Sequence, residues 1–524
     1  MRRVTTSYNN KPVLYTIHTM SSNHKTTDRR TNQRDSRPNN NKRGERIVDV
    51  KKLRDGTKKA GPMMESLCRA FWERKPFING TSSNVNNELE VKFNTPRYHN
   101  PKNGPDTTPY VPPLTRNDYD NVISKLQSLG FSTVNDAGAY MLRIQPEFLD
   151  SRNGTYALSK VRVEIRGFAA IQEYCVHNDI NKILDAPIYS RAISMHKKSD
   201  AKHPTTGAKL SSANFMDFHF KVSYSTEEEY SLVSRFGIAK STVDSWQKSK
   251  KAFRYINRVT FTHPDYPVKV DISIVKSAGM RPDTRAYTTS EAGVFLADEA
   301  YEVEVEVDNS MIGIGTPTEN VETLIVNLRK CIKYVLMGIQ ETSYPVPVSD
   351  QLGVAEEYLR LIGIKHGSRL FSNHFIGPSS FTLQRGNITD DTAEDYNSNM
   401  PNVRNNYTVT DKADGERRLL FIANTGLVYL INTNMKILFT GAKTENKLFY
   451  NTLLDGEIIT HDKHGKFINL FAAFDVYMVN GKNVRSHVFY REISNDETDD
   501  KHQHKSRHHI LVTLMNEIIL SSVV

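Results

Sequence analysis

Between Met63 and Val307 apolar and polar residues alternate in short runs: ELEVKF (88–93), VRVEIRG (161–167), FMDFHFKVSYS (215–225), FRYINRVTF (253–261), VKVDISIV (268–275) and YEVEVEV (301–307). A period of two puts successive side chains on opposite faces, so these runs predict strands. Gly/Pro/Asn-rich turns and one helix, Asp118–Leu129, separate them, which suggests an antiparallel sheet or barrel. At 318–340 the period changes. Val321, Leu324, Ile325, Leu328, Ile332 and Val335 share one helical face, bracketed by Thr318 and by Pro345 and Pro347. That helix is expected to close a first domain. A second region opens near Ser349 with a short helix (Val354–Ile362) and the loop HFIGPSSFTLQRGNI. Alternating strands follow from Tyr407 to Val479, then the polar run SNDETDDKHQHKSRHH (494–509) and a helical stub.

Composition refines this into three parts. At ~100–200 residues per domain, 524 residues suggest two to four domains. The net charge of +10 lies in the first 60 residues, which hold 16 Lys+Arg against 5 Asp+Glu. Residues 1–61 are therefore expected to be a disordered basic tail that holds RNA by phosphate contacts or is merely solvated. Residues 62–345 and 346–524 are the expected folded domains. Three cysteines without CxxC spacing exclude a disulfide scaffold and a structural zinc site, and they suit a reducing, intracellular compartment. No apolar run reaches the ~20 residues of a membrane helix, so no membrane is expected as a partner.

The polar faces of the strands are unusual. Glu88 and Glu90 share a face, as do Glu302, Glu304 and Glu306, with Val303, Val305 and Val307 opposite. Arg162, Lys221, Arg254, Arg258 and Asp271 extend the pattern. One strand at a time, these acids fit the solvent edge of a sheet. Taken together, they fit a closed barrel whose lumen is ionic and whose outside is packed. Carboxylates gathered in a lumen repel unless a cation lies between them, and oxygen donors suit Mg²⁺ or Mn²⁺. Opposing Arg and Lys would clamp phosphates, which points to phosphoanhydride hydrolysis. On these residues, 62–310 resembles the triphosphate tunnel metalloenzymes, in the layout of the metal-dependent RNA 5′-triphosphatases of fungi, protozoa and large DNA viruses. The resemblance implies Glu88, Glu90 and Glu304 as catalytic, and Glu88, Glu90, Glu302, Glu304 and Glu306 as metal ligands. It also implies Arg162, Lys221, Arg254 and Arg258 as substrate contacts.

A second constellation follows. TDKADGERRLLFI carries Lys412, Asp414 and Arg417 in a KxDGxR pattern, LLDGEII carries Asp455 and Glu457, and FAAFDVYMVNG carries Phe474 and Asp475. A lysine that attacks an α-phosphate must be partly neutral, through desolvation or a nearby cation, and carboxylates must hold the metal that stabilises the leaving pyrophosphate. The three elements in order resemble the covalent nucleotidyltransferases: DNA ligases, RNA ligases and mRNA capping guanylyltransferases. FIGPSSFTLQRGNI (375–388) is similar to the GPxxxTLxRxN stretch of viral capping enzymes. The resemblance makes Lys412 the site of a lysyl–nucleotide, Arg417 a ribose contact, Glu457 and Asp475 metal or nucleotide ligands alongside Asp414, and Phe474 a base-stacking ring.

The order of the two parts resembles large-DNA-virus capping enzymes of the mimivirus and poxvirus kind. The expected fold is α+β: an antiparallel tunnel barrel, then a partial, ATP-grasp-like nucleotidyltransferase domain. The implied substrates are 5′-triphosphate RNA and GTP, in a virion or the host cytoplasm, with a second capping or methyltransferase subunit as partner. After Asp475 the family carries an acidic-Gly strand, a lysine-rich strand and an OB-fold lid, and residues 480–524 show none of these. The guanylyltransferase is therefore expected as its N-terminal part only. An ATP-dependent ligase and a non-catalytic capping-complex subunit stay open as alternatives. His502, His504, His508 and His509 are read as part of a charged solvent loop.

Overall fold

The computed structural model describes residues 50–74, 85–94, 111–134, 139–150, 154–232, 237–365, 370–405, 407–410, 412–490 and 506–523. The tail expected at 1–49 and the polar run through 505 lie outside the described residues. The chain divides into two compact units, one spanning Val48–Ser349 and the other holding Asp350–Val524.

The first unit opens with helix α1, Val50–Glu73. Residues 50–61, expected in the basic tail, are thus helical. Leu53, Ala60, Met64, Leu67 and Phe71 lie at helical spacing and are buried beneath the lysine-rich face. The high charge of this stretch hid an amphipathic helix. Among the strands that follow, eight build a barrel: β1 (Val85–Phe93), β2 (Ala139–Asp150), β3 (Val161–Arg166), β4 (Ile193–Asp200), β5 (Phe220–Tyr230), β6 (Lys251–His263), β7 (Tyr266–Ala278) and β8 (Glu299–Val307). They pair antiparallel in the order β6-β7-β8-β1-β5-β4-β3-β2, and β2 pairs back onto β6. That last pairing closes an eight-stranded barrel and leaves it no free edge. The segment 215–225, expected as one strand, is instead a hairpin: Ala213–Phe215 pairs with β5, and His219 in the turn takes a left-handed φ of 55°.

The barrel is polar inside because its outside is covered. Val303, Val305 and Val307 of β8 are 2% exposed or less. They pack with Leu89 and Val91 of β1 against α1, helix α2 (Arg116–Ser128) and helix α3 (Val321–Gln340). Each such valine contributes roughly 1.5–3 kcal/mol of burial. Helix α2 starts on a capping box: the Asp118 amide donates to Thr115 Oγ1, and the Thr115 amide to Asp118 Oδ2. Asn320 caps α3 by accepting from the Thr323 amide at 2.8 Å. The two helices cross at Gly338, where an added Cβ would lie 2.7 Å from the Val122 Cα. Only glycine permits that approach.

The second unit has helix α4 (Val348–Leu361), which starts at the border, and an irregular stretch through the 370s to 405. It then forms an antiparallel sheet of β9 (Glu416–Ile422), β10 (Leu427–Asn432), β11 (Ile437–Lys443), β12 (Thr452–His461) and β13 (Phe467–Val479). Helix α5 (Arg507–Glu517) packs Leu511 and Leu514 against Val476 and Val484. Among the described residues no helix is long and apolar enough to cross a membrane.

Candidate active site

Strand alternation and barrel closure carry the acids of β1 and β8 into the lumen. Glu88 and Glu90 are each 8% exposed, which removes the solvent-edge reading. Register places Glu90 opposite Glu306 and Lys92 opposite Glu304, and on β7 it places Asp271 opposite Glu304. The cations interleave with the acids. Lys92 donates to Glu304 at 2.6 Å and lies 3.2 Å from Glu90. Lys198 reaches Glu88 at 2.7 Å and Glu90 at 2.9 Å. Arg258 holds Asp271 at 2.6 Å and lies 3.6 Å from Glu304. Burial opposes ionisation of Glu304, but Lys92 and Arg258 outweigh it and hold the carboxyl down at about 2.

Glu306 has the opposite balance. Burial, then the charges of Glu88, Asp271 and Glu90, push its carboxyl up to about 8. Glu227 of β5 lies against Glu88 and is pushed up to about 7 by burial, against the pull of Arg162. Burial opposes ionisation of Glu88, but Lys198 and the hydrogen bond with Glu227 outweigh it and hold its carboxyl below the usual range.

The expected set of five metal ligands divides. Glu302 pairs with Arg254 at 2.6 Å, has a side chain 37% exposed against 10–20% for Glu88, Glu90 and Glu304, and has no register partner on β1. It therefore stands apart from the Glu88–Glu90–Glu306 cluster. Among the described residues no three His, Cys, Asp or Glu side chains are drawn together closely enough to hold a metal ion, because Lys92 and Lys198 stand between the acids. The donors nonetheless fit a hard divalent cation. They are all carboxylates, and the excess negative charge that raises Glu306 is what such a cation would neutralise.

Arg162 bonds Glu164 at 2.8 Å and also pairs with Glu227. Lys221 lines a cavity at the mouth beside Lys92. Sequence reading missed Arg143, which holds Glu164 at 2.9 Å, and His196, whose ring lies 3.8 Å from Glu227 and 3.9 Å from Glu164. It also missed Lys198. The runs AYMLRIQPEF and ISMHKKSD interrupt their alternation, so no ionic face was visible in them.

In the second unit Lys412 lies just before β9. It is exposed, and its Nζ donates to the Ala413 carbonyl at 3.1 Å. The desolvation expected for a nucleophilic lysine is thus not supplied by the described residues, and Asp414 is exposed as well. Arg417, expected at a ribose, is occupied. It donates to Asp455 Oδ1 at 3.0 Å, to Oδ2 at 2.5 Å and to the Pro378 carbonyl at 2.6 Å. Its guanidinium also lies 5.4 Å from the Phe375 ring centre. Gly377, at φ 140°, makes room for it: a Cβ there would sit 2.4 Å from Arg417 Nη2. Tyr477 donates to Asp455 at 2.5 Å. Glu457 is opposite Arg417 in the ladder, and its Oε2 is buried without a hydrogen-bond partner among the described residues.

Asp475, expected to serve metal or nucleotide, is 1% exposed and accepts from Arg507 Nε at 2.8 Å and Nη2 at 3.2 Å. Its carboxylate is engaged by an ion pair with Arg507. Asp455 pairs with Asp475 and Gly456 with Ala473, so Phe474 is the extra residue of a β-bulge, a device that re-aims a side chain. The four histidines form no loop cluster that can be described: His502 and His504 lie outside the described residues, and His508 and His509 lie in α5.

Residues 370–521 match the family described as mRNA capping enzyme, catalytic domain. Over 261 residues, half of this chain, the sequence is 30% identical to a probable mRNA-capping enzyme of Acanthamoeba polyphaga mimivirus, and it spans 18% of that relative's length. Solved structures of the S. pombe Pct1 RNA triphosphatase, one of them with the Spt5 CTD, are 12% identical. They cover 61% of this chain and 95–96% of theirs, with TM-scores of 0.23 and 0.24. A carboxylate-lined barrel precedes a segment that matches the mRNA capping catalytic-domain family, in a chain of which half is similar to part of a viral capping enzyme.

Proposed function

We propose that the chain is an mRNA capping enzyme whose barrel removes the γ-phosphate of 5′-triphosphate RNA and whose second unit transfers GMP. The observation that carries the first activity is the gathering of buried Glu88 and Glu90 and half-buried Glu304 and Glu306 in one lumen with Lys92, Lys198, Arg258 and Arg162. Glu88, Glu90, Glu306 and, once Lys92 moves aside, Glu304 would hold Mg²⁺ or Mn²⁺. When bound, that ion polarises the phosphoryl oxygen and neutralises developing charge. The lysines and arginines bind the remaining phosphate oxygens, and the buried walls keep bulk water from the anhydride. Water adds to the γ-phosphorus, the bridging P–O bond breaks, and a 5′-diphosphate end and inorganic phosphate leave.

In the second unit, Lys412 would attack the α-phosphorus of GTP, forming a lysyl–GMP bond as pyrophosphate departs, and the diphosphate RNA end would then accept GMP. Two sites in one chain raise the effective concentration of the RNA end. A methyltransferase or second capping subunit is the partner expected of such a chain. A second reading, a non-catalytic capping subunit, draws support from the engaged state of Arg417 and Asp475.

Incubation with γ-labelled 5′-triphosphate RNA and Mg²⁺ or Mn²⁺ tests the barrel. Glu90→Ala and Glu304→Ala should abolish phosphate release, and undiminished release in either would refute the assignment. Incubation with α-labelled GTP or ATP tests the second unit. A GTP adduct lost in Lys412→Ala supports capping, an ATP adduct supports the ligase alternative, and no adduct supports the non-catalytic reading.

A further inference from the structure

The two mouths of the barrel differ. Along β1 the lumen-facing residues run Glu88, Glu90, Lys92, so the acids lie within and the lysine marks one end. That end is where β1 finishes, β5 begins and the Ala213–Phe215 hairpin arm pairs alongside. It opens into a cavity of about 570 Å³, lined among others by Lys92, Lys209, Lys221, Phe215 and His219, with Asp200 as its one carboxylate among the described residues. This falls within the range of roughly 300–1,000 Å³ typical of small-ligand pockets. Phe215 is half-buried and stacks on Phe220 with ring centres 4.4 Å apart, so the ring in the cavity wall is held rigid. Lys209 stands on the rim, 70% exposed, 2.7 Å from Asp200. At the opposite mouth, where β7 begins and β8 ends, Lys269 is paired with Asp308 at 3.1 Å, much as Lys209 is with Asp200; the first mouth differs in setting Lys92 and Lys221 beside that pair, with an aromatic ring in its wall.

A polyanion with a base attached is attracted by a cationic rim and by an aromatic face, and the first mouth has both. Resting on the proposed triphosphatase reading, we infer that this cavity receives the RNA behind its triphosphate. The terminal nucleoside lies against Phe215, and the following phosphodiester lies near Lys209 and Lys221. The triphosphate then enters the lumen past Lys92 with its γ-phosphate leading toward the acids. The cavity thereby distinguishes an RNA end from a bare polyphosphate.

The test compares a short 5′-triphosphate oligoribonucleotide with inorganic tripolyphosphate as substrates of the full chain. Lys209→Glu and Phe215→Leu should raise KM for the RNA by about fivefold or more, as loss of a phosphate contact or a stacking face does, with tripolyphosphate hydrolysis unchanged. Lys269→Glu should affect neither substrate selectively. Equal losses on both substrates, no loss on either, or an RNA-selective loss in Lys269→Glu would each overturn the inference.

A second measurement separates it from its parent reading. Anisotropy of the labelled RNA is followed in EDTA, with excess 5′-hydroxyl RNA present to occupy non-specific sites. If the wild-type chain hydrolyses neither substrate, yet RNA binding still weakens in Lys209→Glu and Phe215→Leu, the triphosphatase reading falls and the docking site stands. Binding indifferent to both substitutions overturns the docking site.

Discussion

The pair Asp475–Arg507 decides between two roles for one carboxylate. The sequence places Asp475 where a metal or nucleotide ligand is expected. In the structure it is 1% exposed and takes two hydrogen bonds from Arg507, itself 11% exposed. Removing one partner of such a pair leaves a buried charge uncompensated and costs about 3–5 kcal/mol. Arg507→Ala also gives up donors to the Arg485 and His487 carbonyls and the contact with the Phe489 ring. At 1.4 kcal/mol per tenfold, amide exchange through β13 and α5 should accelerate by about 10²–10⁴-fold. Strand β8 of the barrel serves as the internal control and should not change. Asp475→Leu/Arg507→Met, which removes both charges while keeping apolar bulk, should recover most of the loss. Hydrogen exchange resolved by peptide measures all three. A cost below about 1 kcal/mol for Arg507→Ala would refute the structural role, as would an Asp475→Ala chain that keeps its stability but loses GMP-adduct formation.

Other outcomes follow from the same geometry. A carboxyl at about 8 on Glu306 must lose its proton before it can ligate a cation, so Mg²⁺ or Mn²⁺ affinity should rise about tenfold per pH unit from pH 6 and level off above pH 8. Because this folded-state value lies above the ordinary carboxyl range, the metal-free barrel should lose stability as pH climbs toward 8. The melting-temperature gain on adding metal should therefore be larger at pH 8 than at pH 6, and an equal gain at both would count against Glu306 as a ligand. Gly338→Val, forced against the Val122 backbone, should destabilise the first unit by about 1–3 kcal/mol in urea titrations. Gly377→Ala should displace Arg417 or the 375–378 backbone, read as faster exchange of β12 around Asp455. Retained protection there would show that the close approach is dispensable.

Periodicity made both sets of elements legible because it is a local property. ELEVKF and YEVEVEV state which side chains share a face, and TDKADGE, LLDGE and FAAFD state the order of a nucleotidyltransferase-like constellation. The helix 318–340 was visible for the same reason. Which face looks inward is not local. Glu304 lies in a lumen, and not in solvent, because β2 closes onto β6 and because α1, α2 and α3 cover the valines, and those contacts join residues far apart in the chain. Arg143, Lys198 and His196 entered the site only through that closure, their strands having no regular alternation to announce them. The states of Arg417 and Asp475 were likewise decided by distant partners, Gly377–Pro378 and Arg507, since a charge removed from water takes whatever opposite charge or dipole the fold brings to it. Sequence determined which residues can do the chemistry. Tertiary structure decided which of them stand together, and which have already been taken by an ion pair.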